Sequence, residues 1–349
     1  MIWRLLPLLF IPLASILHQA DAAPLLQFAA AALALLPLGV WVHLATERLA
    51  ARLGPVAGGL INVAAANGTE LIITLFALSA GFVGVVKATL VGSILSNMLL
   101  IMGLGMLVGG LRHPVQKIDS RLVSATGTQL VLAVAALSLP TLTETNDWGV
   151  DGRAAQVLSV GVAVVMLAIY LLGTVYTLRT TSTGRFRNHE RVATDARGSL
   201  WIPLLILLAS AAATVGMSDI LVTTLEPAVG SLHLPRRFAG LIVVPLLGNA
   251  IENATAVLEA RKDRMTLAYQ IAVGSSTQIA LFVAPLLVLA GLWMGKPFSL
   301  VFHPLELLAL GLSVLIAVLI HLDARSNWLE GAQLLAAYIL FVLAFYFLE

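Results

Sequence analysis

The chain contains no cysteine, so disulfides, thiol nucleophiles and thiolate metal sites are excluded. Charge is scarce too: Asp, Glu, Lys and Arg make up 11% of the 349 residues, against about 25% in ordinary domains. The seven histidines (His18, His43, His113, His189, His233, His303 and His321) are scattered, with no HExxH and no paired zinc spacing. That removes the usual metallohydrolase signatures. Aromatic residues stand at only 7%.

Apolar sequence fills the gap, at 59% of residues and a mean hydropathy of +0.97. Such a chain is not a soluble globular protein. Its apolar runs are long enough for a hydrocarbon core of roughly 30 Å, which takes about 20 helical residues. The pattern predicts an all-α integral membrane protein with eleven transmembrane helices. Their spans are about 3–17, 26–46, 57–80, 85–110, 120–139, 153–177, 200–225, 237–258, 267–291, 302–320 and 328–348. The first is short, carries Arg4 and precedes Gln19-Ala-Asp-Ala-Ala23, so it reads either as a signal peptide or as a retained helix. Pro7 and Pro12 and the charge distribution favour retention.

With the N-terminus inside, fifteen Lys and Arg residues fall on the cytoplasmic side and five (Lys87, Arg153, Arg236, Arg237 and Lys296) on the other. This positive-inside bias places the C-terminus outside and predicts a multi-pass inner-membrane protein. The formal charge of +2 says little beside that distribution. Residues 179–199 form one hydrophilic, basic linker, most simply a cytoplasmic loop near anionic lipid. The expected organisation is therefore 1–25 (N-terminal helix and loop), 26–178 (first five-helix repeat), 179–199 (linker) and 200–349 (second five-helix repeat).

The repeat is legible without gaps at an offset of 182 residues. Gly58 meets Gly240, Asn67 meets Asn249, Glu70 meets Glu252, Gly92 meets Gly274, Ser93 meets Ser275 and Gly109 meets Gly291. An odd number of spans per copy inverts one copy relative to the other, as in secondary transporters that bind substrate near the midplane. A carboxylate in apolar sequence costs on the order of 3 kcal/mol at a helix centre. One is readily an interhelical hydrogen-bonding residue; two in matching positions read as a duplicated ion site. Gly68, Gly248 and Pro245 weaken the surrounding helices and can free carbonyls. Asn67 and Glu70, like Asn249 and Glu252, are spaced i, i+3 and share a face. Ser93, Ser96 and Asn97 follow in the first copy, Ser275 and Gln278 in the second.

The candidate metal-site residues are thus Glu70, Glu252, Asn67, Asn249, Ser93, Asn97, Ser275 and Gln278, an all-oxygen set suited to a hard cation such as calcium. A divalent ion neutralises both carboxylates; without it, repulsion and low dielectric favour protons. Cation and protons then compete, which predicts exchange of about two protons per divalent ion. A sodium- or potassium-coupled exchanger on the same fold and a cation channel are the alternatives. Neither enzymatic activity, a cofactor nor a nucleic-acid partner is expected.

These residues resemble the cation/proton exchanger (CAX) family of the calcium/cation antiporter superfamily. The likeness is carried by Thr69-Glu-Leu-Ile-Ile73, Val86-Lys-Ala-Thr-Leu-Val-Gly-Ser-Ile-Leu-Ser-Asn97 and Ala272-Val-Gly-Ser-Ser-Thr-Gln-Ile-Ala-Leu-Phe-Val283. It implies eleven spans, calcium/proton exchange by alternating access, and assembly of bacterial members as homotrimers. It also implies that Glu70 and Glu252 bind cation or protons while Ser93, Asn97, Ser275 and Gln278 line the path. Three departures stand out. Ala66-Asn67-Gly68 replaces the family's Gly-Asn-Ala, Asn253 replaces a common His, and the linker is basic where many relatives have an acidic helix.

Overall fold

A computed structural model describes residues 9–145, 152–181, 200–235 and 238–347. The linker from 182 to 199, residues 1–8 of the first expected span, the acidic loop at 146–151 and the pair Arg236 and Arg237 lie outside the described residues.

The chain is almost wholly helical. In order come α1 (Phe10–Gln19), α2 (Pro24–Ala66), α3 (Gly68–Ser79), α4 (Val83–Leu95), a π-helical turn π1 (Ser96–Ile101), α5 (Met102–Gly110), α6 (Ser120–Thr145) and α7 (Gly152–Thr181). There follow α8 (Trp201–Ser231), π2 (Ala239–Val243), α9 (Val244–Gly248), α10 (Ala250–Arg261), α11 (Met265–Gln278), π3 (Ile279–Val283), α12 (Ala284–Trp293), α13 (Pro304–His321) and α14 (Trp328–Phe347). Two short strands, β1 (Gln116–Lys117) and β2 (Arg325–Ser326), pair antiparallel with Gln116 opposite Ser326. Among the described residues, eight helices are long and apolar enough to cross a membrane, or nine if the bent pair Ala239–Gly248 and Glu252–Arg261 counts as one span.

Expected and observed elements differ most clearly early in the chain. Spans at 26–46 and 57–80 are expected, but α2 runs unbroken for 43 residues and the chain leaves helix only at Asn67. The reason is local. Glu47-Arg-Leu-Ala-Ala-Arg-Leu53 is made of good helix formers, and the chain meets no breaker before Gly54 and Pro55. At the equivalent place in the second half, His233 takes a positive φ of 56° and Pro235 follows, so α8 ends. The helices that restart after the two motifs do correspond: α3 and α10 are each 12 residues long, and their bounds differ by the same 182 positions that align the motif residues.

Two compact units emerge, each drawing on both halves of the chain: residues 1–77 with 168–231, and 78–167 with 232–349. In the first, α2 packs along α8, with α1 against both. In the second, α4 packs on π2, α5 on α14, α10 on α11 and α5, and α13 on α6. Small residues set these approaches, as in membrane helix pairs generally. Gly103 and Gly110 of α5 face the backbone of Gly331 and Trp328 in α14, and Gly92 of α4 faces the backbone of Leu241.

Between α12 and α13 the second unit buries an extended segment, with Phe298, Leu300 and Phe302 all inside. Side chains of three helices hold its backbone. Lys87 Nζ donates to Val301 O at 2.5 Å, and Gln156 Nε2 donates to Phe298 O at 3.2 Å. Ser159 Oγ accepts from Leu300 N at 3.0 Å, and Thr141 Oγ1 accepts from Phe302 N at 2.9 Å. A snorkelling Lys87 and Lys296 are the simple expectation from sequence. Instead Lys87 secures this segment, and Lys296 donates to the carbonyl of Ser79.

Candidate cation site

Both copies of the motif interrupt the helix at the same residue. Asn67 separates α2 from α3, and Asn249 separates α9 from α10. In the second copy the flanking segments are bent by 67°, and Asn249 itself sits at φ −108°, ψ 11°. Each Glu is then the third residue of the helix that restarts, Glu70 in α3 and Glu252 in α10. At that position the positive end of the helix dipole meets a negative side chain, while the preceding half-helix presents carbonyls suited to a cation. The restart is regular: Leu71 N donates to Asn67 O and Asn253 N to Asn249 O, both at 2.9 Å.

In the first unit, Glu70 is 2% exposed and Asn67 is buried. Around them Thr74 Oγ1 donates to Glu70 O at 2.8 Å. A Cβ at Gly68 would touch Val42 at 3.4 Å, and one at Gly39 would touch Thr69 at 3.5 Å. The break is thus packed closely against the middle of α2.

The second unit brings together the elements that carry the other six residues. α10 packs against α11 and π1, and α11 packs against α4 and π1. Glu252 on α10 and Asn249 at its N-cap, Ser93 and Asn97 on α4 and π1, and Ser275 and Gln278 on α11 therefore belong to mutually packed elements. Ser93, Asn97, Asn249 and Ser275 are buried; Glu252 and Gln278 are half-buried. Nearby hydroxyls turn back on their own helices: Ser96 donates to Ser93 O, Ser276 to Ala272 O and Thr277 to Val273 O. Their oxygens keep acceptor capacity on the buried side. Among the described residues, no three His, Cys, Asp or Glu side chains gather as a conventional metal cluster.

The π-turns were not legible from composition, though two have a cause in the sequence. Pro245 and Pro285 follow π2 and π3 by two residues. Lacking N–H, each leaves the carbonyl four residues back without its helical donor. π1 and π3 occupy nearly matching places in the two copies, beginning three residues after Ser93 and four after Ser275. Asn253 is buried. Its spacing of i, i+4 from Asn249 was the available signal.

Broken helices bearing buried carboxylates within apolar spans define a multi-pass membrane protein of the transporter class. The sodium/calcium exchanger protein family profile matches residues 23–179 and again 202–347, and the chain belongs to that family. It is 43% identical to the Ca(2+)/H(+) antiporter of Aphanothece halophytica over 97% of this chain and 95% of that one. It is 34% identical to the Ca(2+)/H(+) antiporter ChaA of Bacillus subtilis over 96% and 95% of the two chains. The solved structure of native YfkE superposes with a TM-score of 0.81 at 33% identity, covering 96% of this chain and 97% of that one.

Proposed function

We propose that this protein is a calcium/proton antiporter that moves calcium out of the cytoplasm in exchange for protons. One observation carries the reading. Two buried or half-buried glutamates stand at the same position of two interrupted helices, 182 residues apart, in a chain whose relatives are named for Ca2+/H+ exchange. Calcium accepts six to eight oxygens at about 2.3–2.6 Å, and this donor set is entirely oxygen. Glu70 and Glu252 hold either one divalent cation or protons, so release of one load favours the other. Asn67, Asn249, Ser93, Asn97, Ser275 and Gln278 complete the oxygen shell. The architecture proposed is an N-terminal helix followed by two inverted five-helix repeats, eleven spans in all, in the inner membrane with the N-terminus inside. Access alternates as the repeats rearrange about the site.

Everted vesicles carrying an acid-inside gradient test this directly. The wild type accumulates calcium, and Glu70→Gln or Glu252→Gln abolishes uptake while the protein remains inserted. Full proton-driven uptake by either variant would refute the assignment. Because the family is named for sodium, the same vesicles are also run with a sodium gradient and no proton gradient. Uptake under that condition alone would make sodium the coupling ion.

A further inference from the structure

The second motif holds more polar capacity than its carboxylate uses. Asn249 occupies the N-cap position of α10, where an Asn side chain ordinarily accepts a backbone N–H of the first turn. Here it makes no such bond. One turn on, at i+4, lies Asn253, and Glu252 lies between them on the same face. Asn249 is 5% exposed and Asn253 7%, and the Nδ2 atom of each is buried with no hydrogen-bond partner among the described residues. Buried amides are normally satisfied, and an unsatisfied one destabilises the fold. Two such groups a single turn apart, beside an acidic residue at a helix break, leave polar capacity that a ligand could use.

An amide's oxygen and nitrogen exchange places by a half-turn about its last torsion, so the same position offers either a donor or an acceptor. We infer that Asn253 is a specificity-determining ligand residue, adding a neutral oxygen beside Glu252 and Asn249 to the shell of a divalent cation. This rests on the calcium/proton reading above. A neutral oxygen raises the coordination number without adding a site for a proton. It therefore favours calcium, which accepts a crowded and flexible shell, over smaller ions that demand a strict octahedron. Carboxylates set the exchange with protons; Asn253 sets which ion is exchanged.

The test uses full-length protein in proteoliposomes, comparing wild type with Asn253→Leu and Asn253→Asp. Leucine has nearly the same shape and no polar atom, so it removes the orphan amide. The melting temperature without calcium should hold or rise, the reverse of what loss of a structural hydrogen bond would give. The calcium KM should rise on the order of tenfold, the maximal rate should stay close to wild type, and the preference for calcium over manganese and magnesium should narrow severalfold. Calcium should also raise the variant's melting temperature less than it raises that of the wild type. Asn253→Asp should recover calcium affinity while making uptake fall more steeply as pH drops, because a third carboxylate must shed its proton. If the leucine variant does not fold, Asn253→Ala carries the same readouts. Wild-type KM, selectivity and calcium-dependent melting in the leucine variant would overturn the inference alone. Absence of calcium exchange in the wild type would instead overturn the underlying reading, and the inference with it.

Discussion

At Gly92, an ideal Cβ would lie 1.8 Å from the carbonyl oxygen of Leu241, 2.5 Å from its carbon and 2.8 Å from its Cα. All three are backbone atoms, so no side-chain rotation relieves the overlap. Gly92→Ala therefore requires α4 and π2 to separate by about 1.5 Å to reach ordinary contact distance, and overpacking of this kind costs roughly 1–3 kcal/mol or more. The neighbouring contact at Gly240, whose Cβ would stand 2.9 Å from that of Ala88, shows that the same helix face is already closed one turn away. Separation at this point also displaces Ser93, the next residue, from the helices it packs against.

The expected result is a protein that still inserts but melts several degrees lower in detergent and loses most of its calcium uptake. Gly161→Ala is the control, since a Cβ there meets nothing within 4 Å and the helix gains up to about 1 kcal/mol of propensity. Pro245→Ala sharpens the test. It restores an N–H that can draw the Leu241 carbonyl back into the helix, so the double variant should be less impaired than the sum of the two single changes. A Gly92→Ala protein with wild-type melting and uptake would refute the close crossing and the reasoning built on it.

Two further outcomes probe the second unit away from the site. Lys87→Met keeps the aliphatic stem but removes the ammonium that donates to Val301 O and lies 5.8 Å from the Phe298 ring centroid. The expected cost is about 1.5–3 kcal/mol, read as a lower melting temperature with an unchanged calcium KM; unchanged melting would show that the segment is held without it. Gln116→Leu removes the bonds from Nε2 to Ala260 O at 2.8 Å and Asp263 Oδ1 at 3.0 Å. Ala260 O keeps its bond from Asp263 N at 3.1 Å, so the loss should cost about 0.5–1.5 kcal/mol per bond and speed hydrogen exchange at the end of α10. Wild-type exchange there would count against it.

The long spans were legible because length and hydropathy over twenty residues leave little choice, and α4 to α5, α11 to α12, α13 and α14 fall within two residues or so of their expected bounds. The motif residues were legible because duplication repeats them at one offset. What was not legible depends on contacts. Glu47–Leu53 carries helix propensity but also three charged residues, Glu47, Arg48 and Arg52, and it is the charges that suggest a boundary between two spans. The extended segment at 296–303 reads as a plain connection until Thr141, Gln156 and Ser159, more than 140 residues earlier, are found holding it. Lys87 illustrates the same point: its position near a span end predicts a headgroup contact, and only the fold supplies Val301 O as a nearer partner.

In hydrocarbon every backbone polar group needs a partner from the protein itself, and the molecule meets that demand differently in different places. Around Phe298 to Phe302 the helix is abandoned, yet successive carbonyls and N–H groups are taken up by hydroxyl, amide and ammonium side chains. At π2 the demand is created by Pro245, which leaves the carbonyl of Leu241 without its helical donor. That carbonyl is the one lying over the Cα of Gly92, where a Cα–H···O contact is the available substitute and only glycine leaves room for it. Proline in one half and glycine in the other are thus two ends of one constraint. Asn249 stands against both cases. It interrupts a helix with the side chain best suited to cap the restart, and the cap is not made. A chain that finds partners for an irregular segment elsewhere has the means to do so here, and the unspent amides beside Glu252 are what an ion arriving without its water would need.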